Sequence, residues 1–355
     1  MKKHKAIIVL SAALVTLVLL FTNNIFLKEE PGEDPEAVNI SLVHKANNNF
    51  NESSKYNTDL EKSPSIKQDS TETINYIQLH YDAILVDTHN DFIWKVYDKG
   101  ASFNTRNSFT QSDLPRFQMG GVDVQVFAVW IPLSQVKKSY NFVVSQINRL
   151  HSFADENPAE FEFANNYDDI IRITDQKKLC GLIGIEGGTA IGNNPENINA
   201  FFEMGVRYIG LTWNNSNLIS TSARDETERG SQGGLTDFGI EVIKKMNETG
   251  MLIDVSHLSE AGFWDVIKNS TSPIIASHSD CYSINPHYRN LTDEQIKAIA
   301  ENGGYIGINF YDIFLDKDAD RNRTDNAYQR YSEELNELNE KYGDDLLKYN
   351  EERDK

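Results

Sequence analysis

Short apolar runs rich in β-branched residues recur along this chain from Ala83 onward, each followed by a stretch with apolar positions three or four residues apart. The runs 83–86, 122–130, 181–185, 206–212, 251–255, 273–276 and 305–310 read as buried strands. Between them, 143–153, 197–204, 237–247 and 292–302 read as amphipathic helices, the last opened by Thr292-Asp293-Glu294-Gln295 with a capping hydroxyl and early acidic residues. Alternation sustained this long predicts an α/β fold with a parallel sheet, either open and doubly wound or closed as a (β/α)8 barrel. No Gly-x-Gly-x-x-Gly follows the first strand, which argues against the dinucleotide-binding form. Several strands instead end in residues that ligate metals, and barrel enzymes keep their chemistry at the C-terminal ends of strands. A TIM-like metallohydrolase barrel is the prediction.

The pattern stops short of a full barrel. Seven strands are countable, and 312–355 is a charged stretch with Tyr328, Tyr331, Leu335, Leu338 and Tyr342 at helical spacing. The barrel is therefore expected to be truncated before its eighth strand, exposing an unpaired edge.

The N-terminal fifth has a different texture. Met-Lys-Lys-His-Lys precedes Ala6 to Phe21, an apolar run with only Ser11 and Thr16 polar. A basic start before such a run is an export signal, and residues 1–27 are expected to be an uncleaved membrane anchor or a cleaved signal sequence. Residues 28–70 keep neither period and read as a disordered polar linker, so the barrel domain is placed at 71–355. The protein is expected outside the cytoplasm, anchored or secreted.

Composition narrows the partners. Acidic residues outnumber basic ones 53 to 34, for a net charge of −19, which argues against a nucleic-acid partner. Cys180 and Cys281 are the only cysteines, so disulfides do not scaffold the fold. They fall at opposite ends of the strand layer, roughly 20 Å apart against the roughly 7 Å a bridge tolerates, and no bond between them is expected.

The candidate chemistry sits at four strand ends. His89 and Asp91 end the first strand in Asp87-Thr88-His89-Asn90-Asp91 and, two residues apart, leave the chain on the same side. Glu186 ends Leu182-Ile183-Gly184-Ile185, where a carboxylate is costly to bury without a cation. His257 and His278 end the fifth and sixth strands. Five such ligands exceed the needs of one tetrahedral ion and suit two metals about 3.5–4 Å apart, with Glu186 shared because its two oxygens reach both. Two cations flanking a water make a nucleophile at neutral pH, which implies hydrolysis of an amide, ester or similar bond. In the loop after His278, Arg289 is a fitting clamp for a substrate carboxylate.

These residues resemble the membrane dipeptidase (renal dipeptidase) family. The resemblance rests on Val86-Asp87-Thr88-His89-Asn90-Asp91, Gly184-Ile185-Glu186-Gly187-Gly188, Asp254-Val255-Ser256-His257, Ser277-His278-Ser279 and Arg289-Asn290-Leu291, in order, with Asp113-Leu114-Pro115-Arg116 between them. It covers about residues 73 to 345 and implies a (β/α)8 zinc peptidase that cleaves dipeptides. It also implies that His89 and Asp91 bind one of two zinc ions, His257 and His278 the other, that Glu186 bridges them, and that Arg289 holds the substrate's C-terminal carboxylate. Two departures stand out. Some relatives carry a substrate-assisting histidine after the fourth strand where this chain reads Leu211-Thr212-Trp213, so Trp213 is the expected substrate contact there. Relatives also end an eighth strand with a Gly-Ser-Asp-Phe-type motif whose aspartate handles the proton of the bridging water, and this chain has none.

Three functions follow from these readings. The first is zinc-dependent dipeptide hydrolysis, impaired here by truncation. The second is a non-catalytic, anchored zinc- or peptide-binding relative, and the third a binuclear amidohydrolase acting on lactams or acyl amino acids. The expected partners are a dipeptide and, through the N-terminal segment, a membrane, with a homodimer left open.

Overall fold

The structure is a computed structural model that describes residues 7–10 and 76–316, together with Ala319 and Lys341. The linker 28–70 and nearly all of the stretch after Phe310 expected to be helical lie outside the described residues; of the latter only Asp312–Leu315 is a described helix. Residues 21–79 cluster as a unit of their own, of which only 76–79 are described.

All strands of the sheet are parallel. The strands are β1 (Ile7–Leu10), β2 (Ile84–Asn90), β3 (Val124–Trp130), β4 (Phe161–Phe163), β5 (Leu179–Glu186), β6 (Val206–Gly210), β7 (Leu252–Asp254), β8 (Ile274–Ala276) and β9 (Tyr305–Ile306). Their order is β1-β2-β3-β5-β6-β7-β8-β9, with β4 beside β5. The seven predicted strands are β2, β3 and β5–β9, in place. Two short strands escaped the sequence pattern: three residues of β4 are too few to show a period, and β1 falls in the segment read as an export signal. Ile7 to Leu10 run in register beside Ile84 to Asp87. No helix among the described residues is long and apolar enough to cross a membrane.

The sheet curls. Thr88 Oγ1, at the end of β2, donates to the Ser277 carbonyl just past β8 at 2.7 Å, although four strands separate β2 from β8 in the sheet. Only a rolled sheet brings those ends together, which is the barrel geometry expected of strands that feed a common mouth. Among the described residues β9 pairs with β8 alone.

Helices cover the outer face. The helix Ser139–Glu156 buries Val143, Gln146, Ile147, Leu150 and Phe153, one stripe at spacings of three and four. Phe153 stacks on Phe103 at 4.7 Å within a cluster that includes Phe92, Phe127 and Phe161. Thr292 caps Asp293–Glu301 in a full capping box with Gln295, as its sequence predicts. Both cysteines are free, Cys180 buried and Cys281 half-buried.

The barrel interior is filled by polar-tipped side chains as well as apolar ones. Tyr208 of β6 lies across Gly184 of β5, so closely that a β-carbon at 184 would fall inside its ring. Gly184→Ala is expected to destabilise the domain by about 1–3 kcal/mol, the usual cost of overpacking a rigid core. A urea midpoint unchanged from wild type would contradict this packing account.

Candidate metal centre

Each strand end delivers its ligand for a local reason. β2 runs through Asn90, after which Asp91 occupies the N-cap of the helix Phe92–Lys99 without capping it by its side chain. The carboxylate is thereby left free to face His89, with Oδ1 3.8 Å from His89 Nε2, and it remains about half exposed (56%) at the mouth of the site. Glu186 is the last residue of β5, and Gly187 turns the chain at φ +87°, a left-handed conformation that favours glycine. A β-carbon there would also press on Trp213. His257 follows β7 in a left-handed conformation (φ +70°) that a residue with a side chain adopts only when held. Its carbonyl accepts from Ala223 N at 2.8 Å and from Thr212 Oγ1 at 3.0 Å, and these two bonds hold it.

Three of the other four predicted ligands, His89, His257 and His278, converge on Glu186, and Asp91 joins them through His89. Glu186 Oε1 lies 2.9 Å from His257 Nε2 and 3.5 Å from His278 Nε2, while Oε2 lies 3.6 Å from His89 Nε2. One carboxylate thus turns one oxygen to each side of the site. His89, Glu186 and His278 bring their ligand atoms within 4.8 Å of one another. His257 Nε2 is only 3.0 Å from His278 Nε2. Four of the five side chains are buried, and three imidazoles beside carboxylates are the donor set that transition-type divalent ions prefer. The residues fit a metal.

Charge follows the same layout. Burial would raise the Glu186 carboxyl, but the charge of His89 and contacts with the three imidazoles outweigh it and hold it well below the usual carboxylate range. Burial would lower His89, yet Glu186 lifts it to about 9. Burial, aided by the Arg289 charge, pushes His257 down to about 4, and burial with the charge of His89 pushes His278 well below the usual imidazole range. The site keeps one anionic carboxylate and, on the β7–β8 side, two neutral imidazoles, the form in which histidine ligates.

The cavity above these residues measures about 740 Å³. Arg289 and Trp213 both line it. Arg289 is buried (4% exposed), its guanidinium donates to the His278 carbonyl at 3.2 Å, and its Nε has no partner. Among the described residues no carboxylate pairs with it, an expensive state that an incoming anion would relieve. Trp213 meets Trp130 edge-on at 4.9 Å, and Trp130 meets Trp94 the same way at 4.9 Å, forming one aromatic wall. The loop before Asp113 also lines the cavity, through Phe109 to Ser112. Asp113 pairs with Arg116 at 3.0 Å, and the Arg116 guanidinium grips the carbonyls of Thr110 and Asn107 at 2.6 Å each.

Residue-by-residue reading missed the supporting carboxylate Asp254 and the wall residues Trp94 and Trp130. Asp254 is buried and accepts from Ser256 N, Ser277 N and Ser277 Oγ, tying the β7 and β8 ends together. The signal was present: a carboxylate inside an apolar strand buried on both faces requires a dedicated set of donors.

A parallel barrel with a carboxylate set among imidazoles at its C-terminal mouth defines a metallohydrolase-type protein. The membrane dipeptidase family (peptidase family M19) matches over residues 74–344, and the chain belongs to that family. An uncharacterized dipeptidase of Schizosaccharomyces pombe is 31% identical over 264 residues, covering 69% of this chain and 64% of the relative. The chain thus spans under two thirds of that relative's length. Among solved structures, a metallo peptidase from Rhodobacter sphaeroides liganded with a phosphinate mimic of the dipeptide L-Ala-D-Ala is similar. It has a TM-score of 0.62 at 25% identity, over 65% of this chain and 75% of that one. The metallo peptidase dipeptidase AC, also of family M19, matches with a TM-score of 0.61 at 26% identity, over 65% and 73% respectively.

Proposed function

We propose that this chain carries the metal and substrate sites of a zinc-dependent dipeptidase, with two zinc ions. His89 and Asp91 would hold one ion, His257 and His278 the other, and Glu186 both. The observation that supports this most directly is the division of Glu186, Oε1 toward His257 and His278 and Oε2 toward His89. When bound, zinc supplies Lewis acidity toward a water and a scissile carbonyl. The protein's own groups supply the rest. Arg289 binds the C-terminal carboxylate of the dipeptide through a guanidinium whose Nε has no partner, which fixes the peptide bond relative to the strand ends. The Trp94–Trp130–Trp213 wall displaces water from the anionic centre and presents an apolar face to a substrate side chain. Trp213 takes no part in proton transfer, because indole neither accepts a proton nor carries charge. The apolar segment from Ala6 to Phe21 supports an extracytoplasmic location, anchored or secreted.

The test is hydrolysis of a dipeptide panel by the purified chain with added zinc, followed by release of free amino acids. Turnover that requires zinc is expected. Zinc uptake and dipeptide binding without turnover would replace this reading with the non-catalytic one.

A further inference from the structure

The tripeptide Thr212-Trp213-Asn214 reaches His257 from both ends. Thr212 Oγ1 holds its carbonyl, and Asn214 Oδ1 lies 3.0 Å from its Nδ1. An amide oxygen only accepts, so this contact requires a proton on Nδ1 of His257. A neutral imidazole carries a single proton, so its Nε2 then presents a lone pair toward Glu186.

The same logic governs His278 through a different partner. Ser277 Oγ lies 2.7 Å from His278 Nδ1 and donates its one hydrogen to Asp254 Oδ2 at 2.6 Å. The hydroxyl is left to accept from His278, which again places the proton on Nδ1 and the lone pair on Nε2. On the opposite side, Tyr208 Oη lies 2.9 Å from His89 Nδ1, while its own hydrogen is directed at the Thr88 carbonyl, 3.5 Å away. With both protons turned outward, His257 Nε2, His278 Nε2 and Glu186 Oε1 converge within 3.5 Å with no hydrogen among them.

We infer that Asn214 and the Ser277–Asp254 pair are positioning residues that fix the Nδ1–H tautomers of His257 and His278, so that both Nε2 lone pairs point at the Glu186 oxygen they share. The inference rests on the metal reading above, yet the tautomers themselves can be measured without metal. None of these three residues touches the substrate cavity; they act through the histidines.

The experiment combines the full chain labelled with ¹⁵N-histidine and zinc affinity measured by chelator competition. In the metal-free wild type, the rings of His257 and His278, assigned from His→Gln variants, are expected to show Nδ1–H and an unprotonated Nε2. Asn214→Ala is expected to weaken zinc binding about 10- to 100-fold, the usual effect of losing a partner of a ligating histidine. Asn214→Asp, which keeps an acceptor in place, is expected to restore it. A spectrum showing Nε2–H in the wild type would overturn the proposal even if a variant fails to fold. So would equal zinc affinity in wild type and Asn214→Ala, or equal losses in Asn214→Ala and Asn214→Asp, which would mark a packing role. Wild type that shows the expected tautomers but takes up no zinc would instead contradict the metal reading.

Discussion

Glu186→Gln is expected to empty the whole site and to lower dipeptide turnover by roughly a thousandfold or more. Gln keeps the shape of the side chain, so the barrel should fold, but it removes the buried charge that faces both sides of the centre. In the wild type Oε1 serves the His257–His278 side and Oε2 the His89 side. An amide has one good acceptor, and its NH2 group would point a donor at one set of ligands. Metal-centred charge stabilisation is worth several kcal/mol, and each 1.36 kcal/mol is tenfold in rate. His257→Ala provides the contrast, because it removes a ligand from one side and should chiefly weaken binding there. Metal content and turnover measured on the same samples would separate the two. Full zinc occupancy in Glu186→Gln would show that the carboxylate is not shared.

Arg289→Met is the second large effect, expected in KM more than in kcat. Met keeps much of the buried apolar stem, so the loop packing around the site survives the change better than with Ala. What disappears is a charge-assisted pair with the dipeptide carboxylate, on the order of 1.5–3 kcal/mol. KM should therefore rise by about tenfold or more. A dipeptide amide lacks that carboxylate, and wild type and variant should handle it alike. Equal KM values for free dipeptides would reduce Arg289 to a structural residue that tethers the His278 carbonyl.

Much of this was legible in the sequence because the signals were local. Strand-end ligands His89, Glu186, His257 and His278 are each preceded by a short apolar run, and runs of that kind fold as parallel strands whose ends share one mouth. Once the strands were placed, convergence followed. Three kinds of feature were not legible. The left-handed backbone of His257 depends on Thr212 and Ala223, 45 and 34 residues away in the chain. No local pattern encodes such a clamp. The aromatic wall joins residues from a helix, a strand end and a loop, so its members looked like ordinary core. Trp213 drew attention as a departure from relatives, whereas its neighbours Thr212 and Asn214 make the contacts to His257. Proton placement on imidazole rings depends on partners that only the rolled sheet brings near, such as Tyr208 beside His89.

The central claim is that one carboxylate organises two metal ions within a single buried site. It is tested most directly by metal analysis of the folded, purified chain after zinc loading and removal of free ion, alongside Glu186→Gln treated identically. The account predicts two zinc ions per wild-type chain and loss of both in the variant. A well-folded wild type without zinc, or a variant that keeps both ions, would contradict it.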